Sequence, residues 1–274
     1  VLSRFVALLC AVSVLGCTGE LAAAPSASVR LNIPARANAP GHPNEGWCGE
    51  TAIQEALLHY GAFVPQRLIN KAGKPTTPDL YARDIPVALR ALGLRYRWWN
   101  NRGDVDTFIR WIQRQLRGGK PVLVGVKINP TEHPEWSLDH FVLVVGFDRT
   151  SLLLNTTWGR RERRSYADLK STRKGFSFRN RFPRYYGLVI DGRQRPQHAQ
   201  PVHLRPRGET RSHMTAEISA SGLIVGRRYQ LLRSRLDGKK PTLVETFIAR
   251  RARVTTRVRI DKRKSAFFAV RAAH

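Results

Sequence analysis

The chain reads as an α+β protein with a small β-sandwich at its C-terminal end. Apolar residues recur at helical spacing through the first part of the chain. From about residue 121 the pattern changes to β-branched and apolar runs bounded by Gly, Pro, Asp and Asn. After a polar stretch over 192–211 carrying Pro196, Pro201 and Pro206, five more strand-like runs follow at roughly regular spacing. Helices first and an antiparallel sheet after give one layered domain, and the final strands give a second, smaller one. A hydrophobic content of 42% is enough to build both cores.

The first seventeen residues carry one cation at Arg4, an apolar run from Phe5 to Leu15, and then Gly16-Cys17. This run is too short to span a bilayer as a mature helix and has the form of a signal peptide, so the expected localisation is export. Residues 14–17 resemble a bacterial lipobox, which implies lipidation of Cys17 and a membrane-anchored envelope protein; ordinary secretion with cleavage near 22–24 is the alternative. Residues 1–24 are assigned to the signal and a tether rich in Ala, Pro and Ser that runs on towards Pro40, with a strand candidate around 29–33. The first domain is expected over 25–191, a linker over 192–211 and the β module over 212–274.

Within the first domain, Ala52, Ile53, Ala56, Leu57 and Tyr60 predict a helix from Glu50 that Gly61 stops. A second helix fits 65–72. A third is expected with Thr77 as N-cap and Pro78 at its first position, continuing beyond Pro86 to Gly93. The clearest amphipathic helix spans 104–117, with Asp104 capping, Val105, Phe108, Ile109, Ile112 and Leu116 inward, and Gly118-Gly119 ending it. Strands are expected over 121–128, 140–148, 151–157 and 185–191. Between the last two, residues 160–184 carry ten cations against two acids and read as a solvated loop with a short helix. The later strands are placed at 213–220, 228–234, 243–249, 253–260 and 266–272.

The formal charge is +27, and 37 of the 47 cations are Arg. Residues 193–274 alone hold 20 Lys/Arg against 5 Asp/Glu, a field that attracts anionic envelope polymers. The same Arg-rich balance also arises from a GC-rich genome. No finger spacing, aromatic-interleaved RNA motif or helix-turn-helix pattern accompanies the charge, so specific nucleic-acid recognition is not expected.

Chemistry concentrates on Cys48. Once the signal is removed it is the remaining cysteine, apart from a lipid-bearing Cys17, and has no intramolecular disulfide partner, so reactivity is the reading that explains it. It opens a helix, whose positive end favours a thiolate, and His140 begins a strand that can bring an imidazole to it. Asn155, at the end of the next strand, is expected beside His140, where it would fix the tautomer, because a tight turn at Arg149-Thr150 joins the two strands. This makes a Cys/His/Asn triad. His42, Cys48 and His59 lack a recurring metal-ligand spacing, and Asp104/Asp106 and Glu132/Glu135 fit a helix cap and a surface loop better than paired acid catalysis. No glycine-rich phosphate loop occurs, and neither a metal nor a cofactor is expected.

Gly46-Trp47-Cys48-Gly49 before an amphipathic helix, followed by Asp139-His140-Phe141 opening an apolar strand, resembles the C39-like branch of papain-fold cysteine peptidases. Asn155-Thr156-Thr157-Trp158-Gly159 resembles the papain-type Asn-Ser-Trp-Gly with one residue inserted. The resemblance covers about 31–191 and implies a papain-like fold that hydrolyses a peptide or isopeptide bond of a peptide or protein substrate through an acyl-enzyme on Cys48. The family places a Gln just before the nucleophile to hold the oxyanion; residues 41–45 contain none, which makes Asn44 and His42 the oxyanion candidates. Residues 222–231 and 266–272 resemble fibronectin-III-like modules of bacterial exported proteins. The alternative reading is a catalytically silent envelope-binding protein with the basic module as its adhesive.

Overall fold

The structure, a computed structural model, describes residues 28–39, 46–100, 103–128, 139–177, 185–193, 199–235 and 240–273. The expected signal peptide with Cys17, the oxyanion candidates His42 and Asn44, and the Glu132/Glu135 pair lie outside these residues.

The chain enters through β1 (Val29–Arg30) and then forms α1 (Cys48–His59), β2 (Ala62–Phe63), α2 (Gln66–Gly73), α3 (Ile85–Ala91), β3 (Leu94–Trp98) and α4 (Val105–Arg117). Helix α1 is buried from Cys48 through Leu58, polar residues included, because it has packing partners all round. The third expected helix is shorter than its sequence suggested. Residues 77–84 form turns, since their backbone groups are taken by side chains elsewhere: Leu80 N–H donates to Glu50, Tyr81 N–H to Asp84, and the Pro78 carbonyl accepts from Trp47 and Asn70. Pro86 falls in the first turn of α3, where its missing N–H costs nothing. In α4 the Asp104 carboxylate accepts from Thr107 N–H at 2.7 Å as expected, and Phe108, Ile109, Trp111, Ile112 and Leu116 are buried. Each such side chain contributes roughly 1.5–3 kcal/mol relative to exposure.

The central sheet is completed by β4 (Val122–Lys127), β5 (Asp139–Phe147), β6 (Ser151–Asn155), β7 (Arg161–Ser165) and, after the five-residue helix α5 (Tyr166–Lys170), β8 (Gly187–Arg193). Its order is β3-β8-β4-β5-β6-β7, antiparallel at every described pairing, with β1 on β5. Alternation splits the sheet into two faces. Leu123, Phe141, Leu143, Leu188 and Ile190 join the core under α1 and α3. Val122, Val124, Val142, Val144 and Val189 join the core under α4. Strand β7, in a stretch expected as loop, reads Arg-Glu-Arg-Arg-Ser; it is an edge strand, where charge is tolerated and protective, so no apolar pattern announces it.

Beyond residue 199 the chain forms β9 (Val202–Glu209), β10 (His213–Ser221), β11 (Arg228–Ser234), β12 (Thr242–Ile248), β13 (Arg253–Asp261) and β14 (Ala266–Ala272). The expected linker over 192–211 is corrected: β9 lies inside it. It is an edge strand in the order β13-β10-β9, and Pro206 sits beside a bulge between Thr215 and Ala216, the setting in which a strand proline loses no ladder bond. The facing sheet has the order β12-β11-β14-β2, so its last strand comes from the first domain. The two sheets enclose one apolar cluster that includes Met214, Ile218, Leu231 and Phe268 together with Leu58 of α1 and Phe63 of β2. Gly61, between α1 and β2, has φ +74°, and a Cβ there would lie 3.0 Å from the Val202 carbonyl. Its own carbonyl accepts from Phe268 N–H at 2.9 Å. A glycine therefore permits both the turn and the close approach of the two halves.

Candidate active site

Cys48 is the first residue of α1, where the unpaired N–H groups of the helix create a positive end. It is 7% exposed and is the free cysteine of the described residues. The N–H of Phe141 points at its Sγ at 3.5 Å, so the thiol rests against the peptide joining His140 to Phe141 at the start of β5. Trp47, just before it, is fixed by an indole N–H bond of 3.0 Å to the Pro78 carbonyl.

His140 is buried, and its Nε2 lies 3.2 Å from the Thr157 hydroxyl. The Trp158 ring stacks over the imidazole with centroids 5.1 Å apart and planes within 8°. Residues 157–159 are themselves held by the segment at 36–38: Asn38 N–H donates to the Thr157 carbonyl at 2.8 Å, Gly159 N–H to the Arg36 carbonyl at 3.1 Å, and Ala37 bridges Trp158.

Asn155 is not where the hairpin argument put it. In the β5–β6 register it faces Leu143, three residues from His140: the tight turn sets Phe147 against Leu152, a register that leaves Asn155 short of His140, and the bulge between Val144 and Gly146 moves the later pairs by one residue only. Its amide donates to the Ile33 carbonyl at 3.1 Å, its oxygen accepts from Arg161 Nε at 3.1 Å, and it also bonds the Glu55 carboxylate. It knits β6 to α1 and to the strand-like segment at 31–33. The group at His140 is Thr157, two residues further on, and the sequence offered a signal for it: the one-residue insertion in the Asn-Thr-Thr-Trp-Gly stretch displaces the tryptophan and its neighbour relative to the asparagine.

Electrostatics oppose a free thiolate in this geometry. Burial pushes the Cys48 thiol up to about 12; the Phe141 N–H lowers it, while the negative charges of Glu50 and Asp79 raise it further. The expected depression by the helix end is therefore outweighed by desolvation. Glu50, two residues after the nucleophile, is fully buried and raised to about 7, again by burial first, despite accepting from Asn70 at 2.8 Å and Leu80 N–H at 3.0 Å. Its second oxygen, Oε2, has no hydrogen-bond partner among the described residues. Glu55 is pushed well above its ordinary value by burial, offset in part by Arg36 N–H, Asn155 and the charges of Arg36 and Arg161. The Cys48 N–H, at the positive end of α1, donates to the Gly46 carbonyl. Among the described residues no cluster of His, Cys, Asp and Glu could hold a metal ion, and no helix is long and apolar enough to cross a membrane.

Comparison with known proteins places this geometry. The model of the Peptidase_C39 like family matches residues 30–187, more than half of the chain and all of Cys48, His140 and residues 155–159. Among solved structures, the peptidase domain of Streptococcus ComA, a bi-functional ABC transporter involved in a quorum-sensing pathway, matches over 59% of this chain and 99% of that one, at 16% identity and a TM-score of 0.41. No curated protein matches.

Proposed function

The chain belongs to the Peptidase_C39 like family, with its papain-like α+β fold, and from that premise we propose that it is a cysteine peptidase or amidase in which Cys48, His140 and Thr157 act in sequence. The carrying observation is the thiol at the N-terminus of α1, held against the His140–Phe141 peptide, with the imidazole pinned between Thr157 and Trp158. In the tautomer the reaction needs, His140 Nε2–H donates to the Thr157 oxygen, and Nδ1 acts as the base. A thiol raised to about 12 does not exist as a resting thiolate at neutral pH, so proton transfer to His140 accompanies attack on the carbonyl. The sulfur–carbon bond forms as the thiol proton moves to the imidazole. The imidazolium then gives that proton to the leaving amine, and water, deprotonated by His140, releases the acid and restores the thiol. Thr157 is a positioning residue. Its neutral hydroxyl orients the ring but supplies no charge to stabilise the imidazolium, which predicts slower turnover than a carboxylate partner would give.

The buried thiol and the Cys48 N–H bonded to Gly46 favour a second reading, a silent papain-fold binding protein. Turnover of a fluorogenic peptide by the full chain separates the two. Activity lost in Cys48→Ala and His140→Ala supports the enzyme; no turnover above background in the wild type, at any pH from 6 to 9, supports the binding protein.

The exported, lipid-anchored state belongs to the same proposal, with Cys17 as the modified residue and the basic β module drawing the enzyme to anionic envelope polymers. If so, the protein sediments with membranes and Cys17→Ser releases it; an unmodified wild-type N-terminus near residue 25 would rule the anchor out.

A further inference from the structure

A cleft of about 640 Å3 opens at Trp47, the residue before the nucleophile, bounded by Trp47 and the segment 35–39 on one side and by Glu209, Lys262 and Arg263 of the β module on the other. A second cavity of about 640 Å3 meets it at Ala35 and Gly159 and is lined by Arg30, Arg161 and Arg205. Each volume is in the range that holds a specific ligand, roughly 300–1,000 Å3. Together they make a groove running from the residue before Cys48, past the residue after Trp158, along the seam between the two halves of the molecule.

The groove is strongly cationic. Its one lining carboxylate is Glu209, which Arg36 and Lys262 already neutralise. Arg263 is paired with Asp261. Arg30, Arg67 and Arg205 are exposed and make no ion pair among the described residues. Arg161 is lowered by burial first and then by the repulsion of Arg30, with Glu55 opposing and Arg205 adding a smaller repulsion, so three guanidinium groups share a space that an anion would relieve further.

Resting on the peptidase reading, we propose that this groove is a substrate subsite for an acidic peptide segment, with the carboxylates of residues flanking the scissile bond seated on Arg30, Arg67 and Arg205. A peptide is the occupant favoured here because the groove borders Trp47 and Gly159, the sequence neighbours of groups proposed for peptide chemistry, and because its cations come from both cavities and from both halves of the molecule. The β module is then part of the substrate cleft, supplying Arg205, Lys262 and Arg263.

Two fluorescein-labelled decapeptides test this, one with three Glu on one flank of its centre and the other with Ser in their place, titrated against full-length Cys48→Ala protein. The Glu peptide should bind on the order of tenfold more tightly at about 50 mM salt and lose most of that advantage at about 0.5 M. Arg30→Gln with Arg205→Gln should bring the two peptides level without lowering the melting temperature, because both side chains are exposed and their charges repel Arg161. In the otherwise wild-type enzyme the same pair should raise KM for the Glu peptide by a larger factor than for the Ser peptide. Equal binding of the two peptides, or a preference that survives the double substitution, would overturn the subsite. So would a single-stranded oligonucleotide of equal length that binds more tightly than the Glu peptide, since the groove would then be a general polyanion site. Binding needs no catalysis, so selective binding without turnover defeats the peptidase reading alone, and turnover without selectivity defeats this inference alone.

Discussion

The residues around Cys48 are set for concerted, not pre-ionised, chemistry. With the thiol raised to about 12 by burial, alkylation of the resting protein by iodoacetamide should be slow at pH 7 and climb steadily to pH 10; a plateau below pH 8 would show a stabilised thiolate and overturn this account. Thr157→Val removes the acceptor at His140 Nε2 and should lower kcat by about tenfold with KM little changed, whereas Thr157→Ser should restore it. Asn155→Ala should instead cost stability, about 1–3 kcal/mol by urea unfolding, because it removes one bond each from the Ile33 carbonyl, Arg161 and the buried Glu55. Glu50 gives a pH signature. Its folded value of about 7 lies above the ordinary 4.5, so between those values the folded state holds a proton that the unfolded chain has released. Stability therefore falls as pH rises through that window, by up to about 3 kcal/mol, and is flat above it. Glu50→Gln should flatten the dependence between pH 5 and 8, leaving the contribution of Glu55, which has the same sign.

At the level of elements, α1 links everything. Its first residue is the nucleophile, Glu50 ties down the turns at 78–80, Glu55 meets Asn155, and Leu58 enters the core of the β module. The short β2 that follows pairs with β14, and Phe63 is buried in the same cluster. Phe63→Ala should therefore destabilise by roughly 3–5 kcal/mol, the range for truncating a buried aromatic, although the residue belongs by sequence to the other domain. A loss below about 1 kcal/mol by denaturant titration would mean that β2 is peripheral to the module.

Over the whole molecule, the β module is joined to the first domain by a shared sheet, a shared cluster and the Arg36–Glu209 ion pair. Its removal uncovers Leu58 and Phe63 and leaves β2 unpaired. A chain ending at residue 193 should melt at a lower temperature than the full protein and lose activity with its structure. Two independent calorimetric transitions in the full chain, one of them unchanged in the truncated form, would show instead that the halves are autonomous.

The sequence by itself determined whatever rests on local chemistry. Apolar period placed α1, α2 and α4; Asp104 and Gly118-Gly119 marked the ends of α4; β-branched runs placed β4, β5, β6, β8 and the last five strands. It also singled out Cys48 and His140, since a helix start and a strand start with those side chains are local patterns. Tertiary structure decided the rest. Edge strands β7 and β9 bury too little to need an apolar alternation, so nothing local distinguished them from loops. The turns at 77–84 lost their helix to side chains of α1, a long-range competition for backbone bonds. The register of the β5–β6 hairpin set Asn155 opposite Leu143, and Thr157, two residues beyond the strand, reached His140. The thiol's pKa, the shared sheet through β2 and the basic groove along the seam depend on which surfaces meet, and burial and pairing between distant segments are properties that no local stretch of sequence carries.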